Sequence, residues 1–181
     1  MQEESGFIAV VTTGGTIDKA YFDALSSYQV GESLVEKILE AANVACAYRI
    51  IELMRKDSLE LTDQDRERLR GTIEALQTRR IVVTHGTDTM TLSAQSLASL
   101  SDKTIVLTGA LSPARFAQSD AAFNLGMAFA AAQVLPPGVY IAMNGQVFPG
   151  EGVRKDRIRG RFMPLDPAPR SDIRTGGPGG D

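Results

Sequence analysis

The sequence has no tryptophan, one cysteine and one histidine in 181 residues. A lone Cys46 permits no internal disulfide, and as a nucleophile it would need an imidazole that only His85 can supply. One His, one Cys and scattered carboxylates form no clustered ligand set, so no metal and no cofactor are expected. A Ser-His-Asp triad would have to use His85, which lies too near Asp88 for the usual separate placement. No apolar run approaches membrane length, and no charged start precedes an apolar stretch, so no membrane partner and a cytoplasmic location are expected. Excess positive charge is also missing. The formal net charge of -3 argues against a nucleic-acid partner. Basic residues gather only from Arg154 to Arg161, where Asp156 and Gly160 interrupt them, and read as a solvated face or a subunit contact.

Strand patterns fall at about 7–12, 48–53, 81–84, 104–108 and 139–143. Helical patterns alternate with them over Glu32–Ala42, Thr62–Gln77, Thr89–Leu100 and Asp120–Gln133. Thr62-Asp63-Gln64-Asp65 has the form of a capped helix start, and Asn144-Gly145 suits a two-residue hairpin turn into Gln146-Val147-Phe148. The alternation predicts an α/β fold: a single domain with a mostly parallel, doubly wound, flavodoxin/Rossmann-like sheet and a terminal β-hairpin. The domain is expected over 1–165, with a disordered Pro/Gly-rich tail over 166–181. Lys19 to Gly31, with Tyr21, Phe22 and Tyr28, fits no regular element and reads as a lid or binding loop.

Three apolar strands run into Thr- and Gly-rich tips: Thr12-Thr13-Gly14-Gly15-Thr16, Thr84-His85-Gly86-Thr87-Asp88-Thr89 and Thr108-Gly109-Ala110. Parallel α/β sheets bind ligands beyond the carboxyl ends of their strands, so the three tips predict one shared pocket. The first tip lacks the Lys-Ser/Thr ending of a P-loop, and its glycine spacing is wrong for a dinucleotide fingerprint. Hydroxyl chemistry remains. Thr16 and Thr87 occupy equivalent places, and backbone N–H groups around Gly15, Gly86 and Ala110 could stabilise an oxyanion. Lys155 and Tyr28 are the candidate bases outside the turns. From local sequence alone, both threonines serve equally well as helix or turn caps.

Thr13-Gly14-Gly15-Thr16-Ile17 and His85-Gly86-Thr87-Asp88-Thr89, in this order and spacing, resemble the two signature motifs of bacterial-type L-asparaginases and their glutaminase relatives. Ser27-Tyr28-Gln29-Val30-Gly31 resembles the family's Tyr-bearing lid loop. Asp57-Ser58-Leu59-Glu60-Leu61-Thr62 resembles the segment that binds the substrate's α-carboxylate, and Met143-Asn144-Gly145 with Val153-Arg154-Lys155 resembles the hairpin carrying the catalytic Lys. The resemblance implies an amidohydrolase that converts L-asparagine to L-aspartate and ammonia. Thr16 would be the acyl-accepting nucleophile, assisted by Tyr28. Lys155 would relay protons to and from Thr87 beside Asp88, while Asp57, Ser58, Thr87 and Asp88 hold the amino-acid end.

The sequence departs from the family in three respects. The family's second, smaller domain, which supplies an acidic residue to a neighbouring subunit's site, is not represented in these residues. Leu59 stands where a polar residue is common, and Asp18 where a small one is. Rival readings are an L-glutaminase, an amidase subunit acting on an aminoacylated tRNA, and a non-catalytic aspartate/asparagine-binding module. A homo-oligomer, dimer or tetramer, is expected, with Phe162 and Met163 as apolar anchors. The alternative is that this segment folds back on its own sheet.

Overall fold

The structure, a computed structural model, describes residues 6–22 and 27–165. Its first half contains β1 (Ile8–Gly14), β2 (Lys19–Phe22), β3 (Ser27–Val30), α1 (Val35–Ala41), β4 (Tyr48–Lys56) and α2 (Asp63–Glu74). Then follow β5 (Arg80–Thr84), α3 (Met90–Leu97), β6 (Thr104–Thr108), α4 (Ala121–Val134), β7 (Gly138–Met143), β8 (Gln146–Pro149), β9 (Val153–Asp156) and β10 (Arg161–Pro164). The main sheet has the order β4-β1-β5-β6-β7-β8; the first five strands are parallel and β8 is antiparallel.

Period-2 alternation sorts each central strand between two cores. Ala9, Val11, Ile81, Val83, Ile105 and Leu107 pack with α2 and α3 on one face. Ile8, Val10, Val82 and Val106 pack with α1 and α4 on the other. Strands covered on both faces must be apolar throughout, which is why β1, β5 and β6 read as β-branched runs. α2 begins with Thr62 accepting from Asp65 N–H while the Asp65 carboxylate accepts from Thr62 N–H, the capping box that its sequence announces. Asn144 and Gly145 both have positive φ, 55° and 76°, as the tight turn from β7 to β8 requires.

Two hairpins differ from the expected picture. The described part of Lys19–Gly31 is an antiparallel pair, β2 with β3, in which Tyr21 opposes Tyr28; residues 23–26 lie outside the described residues. The second is β9 with β10, in which Phe162 opposes Lys155. Phe162 is fully buried in the core on the α2/α3 side, so it is no subunit anchor: the segment folds back onto its own sheet. Its N–H donates to Asn144 Oδ1 at 2.9 Å, which fastens the β9–β10 hairpin to the β7–β8 turn. The expected tail, 166–181, lies outside the described residues.

Candidate active site

The parallel strands leave β1 in opposite directions, to β4 on one side and β5 on the other, so their order reverses between β1 and β5. That switch point is where α/β sheets open a crevice. Thr12 and Thr84 are register partners there, so the turns carrying Thr16 and Thr87 leave the sheet side by side. Gly15 has φ +91°, and a Cβ on it would overlap the Gly86 backbone. A Cβ on Gly86 would lie 2.6 Å from Ser58 Oγ. The loops after β1, β4 and β5 therefore meet through two glycines that tolerate no side chain.

The oxyanion expectation needs one correction. Gly15 N–H already donates to Lys56 O at 3.0 Å, so Gly15 provides close approach and no free donor. Ala110, at the tip of β6, is buried against Ile17 and Ala121. Thr16 itself is half-buried and opens a 3-10 turn, Thr16–Asp18.

At the next tip a polar constellation is assembled. Lys155 Nζ donates to Thr87 Oγ1 at 2.7 Å and to Asp88 Oδ1 at 2.9 Å. Lys155 reaches them from β9, where the burial of the opposing Phe162 fixes the strand's depth. Beneath Thr87, His85 is fully buried. Its Nδ1 lies 2.7 Å from Gly86 O and its Nε2 2.7 Å from Ser93 Oγ. A carbonyl only accepts, so Nδ1 carries the proton and Ser93 donates to Nε2. Burial, only partly offset by the Gly86 carbonyl, holds the imidazole near pKa 4 and so neutral at ordinary pH. His85 is scaffold: it fixes the Gly86 carbonyl against α3.

The third wall is the loop after β4. Ser58 is buried, and its carbonyl accepts from Thr89 Oγ1 at 2.7 Å, which ties the loop to the β5 tip. Asp57 is half-buried and pairs with Lys19 Nζ at 2.6 Å. Burial pushes the Asp57 carboxyl up, but Lys19 and the Leu59 N–H together hold it below its ordinary value. Tyr28 is 51% exposed and packs edge-on against Phe116. With Lys19, Asp57 and Leu59 it lines a cleft of about 530 Å³ between the β2–β3 hairpin and this loop, and Thr16, Thr87 and Lys155 are not among the lining residues.

Sequence reasoning passed over two cations. Lys19 partners Asp57, and Arg157 Nη2 lies 3.6 Å from Asp88 Oδ1. Arg157 lies in the turn just after β9, so no strand periodicity pointed it at Asp88.

The family model described as "Asparaginase, N-terminal" matches residues 7–161. The chain belongs to the asparaginase family. It is 31% identical over 160 residues to a probable periplasmic L-asparaginase of Haemophilus influenzae, covering 82% of this chain and 46% of that protein. It is 30% identical over 162 residues to a glutaminase-asparaginase of Acinetobacter glutaminasificans, covering 82% and 49%. Among solved structures, the thermostable L-asparaginase of Thermococcus kodakarensis superposes with a TM-score of 0.74 at 25% identity, covering 90% of this chain and 52% of that one. This asparaginase-family chain thus spans about half the length of the relatives it matches. The matched span takes in all three tips and Lys155. Among the described residues no helix is long and apolar enough to cross a membrane.

Proposed function

We propose that this chain hydrolyses the side-chain amide of L-asparagine to L-aspartate and ammonia, with no metal or cofactor. The observation that carries the reading is Lys155 Nζ held between Thr87 Oγ1 and Asp88 Oδ1 at the sheet's switch point. In this scheme Thr16 Oγ1 attacks the amide carbon while its proton passes to a base, with Tyr28 assisting from the hairpin. Lys155 donates to the Thr87 oxygen, so the Thr87 hydroxyl hydrogen is free to point at the leaving nitrogen. Thr87 passes that proton to the NH2 group, Lys155 refills Thr87, and the proton that the base took from Thr16 returns through solvent to Lys155. Ammonia leaves, and the Thr16 ester remains. Water then attacks the ester carbon, its proton returns to Thr16, and L-aspartate is released. Asp88 holds the α-ammonium, and Asp57 and Ser58 form the wall at the α-carboxylate end. Gly86 and Ala110 supply backbone at the oxyanion side.

L-glutamine is the rival substrate, because one methylene discriminates by only about 1–3 kcal/mol in a simple pocket. Leu59, 66% exposed at the mouth of the cleft, offers no polar contact there and favours the shorter amide. Wild-type protein should release ammonia faster from L-asparagine than from L-glutamine. Thermal stabilisation by L-aspartate with no ammonia from either amide would make the chain a binding module instead. The cytoplasm is kept as the proposed compartment on the single cysteine. A homo-oligomer is also proposed, with its contact moved from buried Phe162 to the outer side of α4. That helix has no charged residue to oppose its copy, and it exposes Phe123 and Val134. Sedimentation at micromolar concentration reads this directly, and a fully active monomer overturns it.

A further inference from the structure

Asp88 faces a second cation besides Lys155. Arg157 follows β9 in the turn that leads to β10, and this turn is held tight by Asp156. The Asp156 carboxylate accepts from Ile158 N–H and Arg159 N–H, both at 3.0 Å. So clamped, the turn directs Arg157 toward the site, with Nη2 3.6 Å from the same Asp88 oxygen that Lys155 uses. The two cations differ in character. The Lys155 side chain is 17% exposed and is committed to two short hydrogen bonds, whereas Arg157 is 70% exposed. A guanidinium at that separation is a loose partner, and most of its five donors remain available.

The basic run Arg154–Arg161 is therefore no uniform solvated face. Arg159 turns back to Asp156, at 4.0 Å, while Arg157 turns to the reaction centre.

An amino-acid amide carries its α-ammonium and α-carboxylate on one carbon. A ligand whose ammonium rests on Asp88 must bring its carboxylate alongside. The Lys155 ammonium is committed to Thr87 and Asp88, whereas the Arg157 guanidinium is a looser partner of Asp88 and offers the planar fork that matches a carboxylate. We propose that Arg157 joins the Asp57–Ser58 wall in binding the substrate's α-carboxylate and is a specificity-determining residue for amides that bear one. The assignment rests on the L-asparagine reading above, and it makes the basic turn after β9 part of the binding site.

The test compares L-asparagine with its α-methyl ester, which keeps the side-chain amide and the ammonium but lacks the carboxylate. Arg157→Gln should raise KM for L-asparagine about tenfold, the scale of one charge-assisted hydrogen bond, with kcat moving far less. KM for the ester should stay the same or fall, since a repelling cation is gone. Arg157→Lys, which keeps the charge and loses the fork, should recover part of the preference. An equal rise in KM for both compounds, or no rise for L-asparagine, overturns the proposal. A matched fall in kcat on both also overturns it, because it would show that Arg157 only holds Asp88. If the wild type releases no ammonia, the hydrolase reading fails. Calorimetric affinities for L-aspartate and its α-methyl ester then still test Arg157, which should separate the two ligands in the wild type and not in Arg157→Gln.

Discussion

Thr16 and Lys155 illustrate two kinds of dependence at the residue scale. Thr16 is half-buried in its turn and touches no other proposed catalytic side chain through a described hydrogen bond, so its loss removes the acyl-accepting oxygen and little else. Lys155 is bound into a pair of contacts with Thr87 and Asp88. Thr16→Ala should lower kcat by about three orders of magnitude or more, with a thermal midpoint close to wild type. Lys155→Met keeps the stem and removes the relay. It should damage kcat similarly and cost stability as well, because Asp88 is left with only the looser Arg157. Ammonia release and thermal melts on both variants check this, and near-wild-type turnover in either removes that residue's role. His85 shows the limit of reading roles from motifs. Its place in the sequence marks the site, but its function as a neutral strut depends on Ser93, eight positions on, which only the packing of α3 brings to its Nε2.

Much of the architecture is legible at the element scale because each central strand is buried on both faces and must be apolar. The α2 cap and the Asn144-Gly145 turn are legible for a related reason: local hydrogen bonding and φ fix the residue types. The two small hairpins escape such reasoning. β2 and β3 carry no tight-turn signal, and β9 with β10 reads as Val-Arg-Lys-Asp and Arg-Phe-Met-Pro, where buried Val153 and Phe162 outweigh the surrounding charge. That Phe162 lies opposite Lys155 is a fact of register, invisible until the strands pair. The arrangement makes the catalytic relay depend on core packing. Phe162→Ala should cost about 3–5 kcal/mol in urea unfolding, the usual penalty for an emptied aromatic site. It should also depress kcat by letting the Lys155 ammonium drift from Thr87. Phe162→Leu, which refills most of the volume, should recover both. A Phe162→Ala variant with wild-type stability and turnover would detach the relay from the core.

The whole molecule seals two ionisable groups on either side of the site turns, and they act on stability with opposite sign. His85 is depressed by burial from 6.5 to about 4. Between those values the unfolded chain binds a proton that the folded chain refuses, so stability falls as pH drops from 6.5 toward 4. Asp18 is raised from 3.8 to about 6, chiefly by burial, with Glu52 adding to the rise. The N–H of Leu34, Ser33 and Arg115 pull the other way without prevailing. Here the folded chain keeps a proton that the unfolded chain releases, so stability falls as pH climbs from 3.8 to 6. Each shift corresponds to about 3 kcal/mol at most, and the two windows nearly coincide, so between pH 4 and 6 their slopes largely cancel in the wild type. Asp18→Asn removes one side of that balance. The asparagine carbonyl can still accept from Leu34 N–H, 3.0 Å away in the wild type, but there is no carboxylate left to ionise. The variant should be more stable than wild type at pH 7 by up to about 3 kcal/mol, and the gap should close toward pH 4. Urea midpoints for both proteins at pH 4, 5.5 and 7 measure it. Since every other group is common to the pair, a gap no wider at pH 7 than at pH 4 would mean that Asp18 ionises freely where it stands.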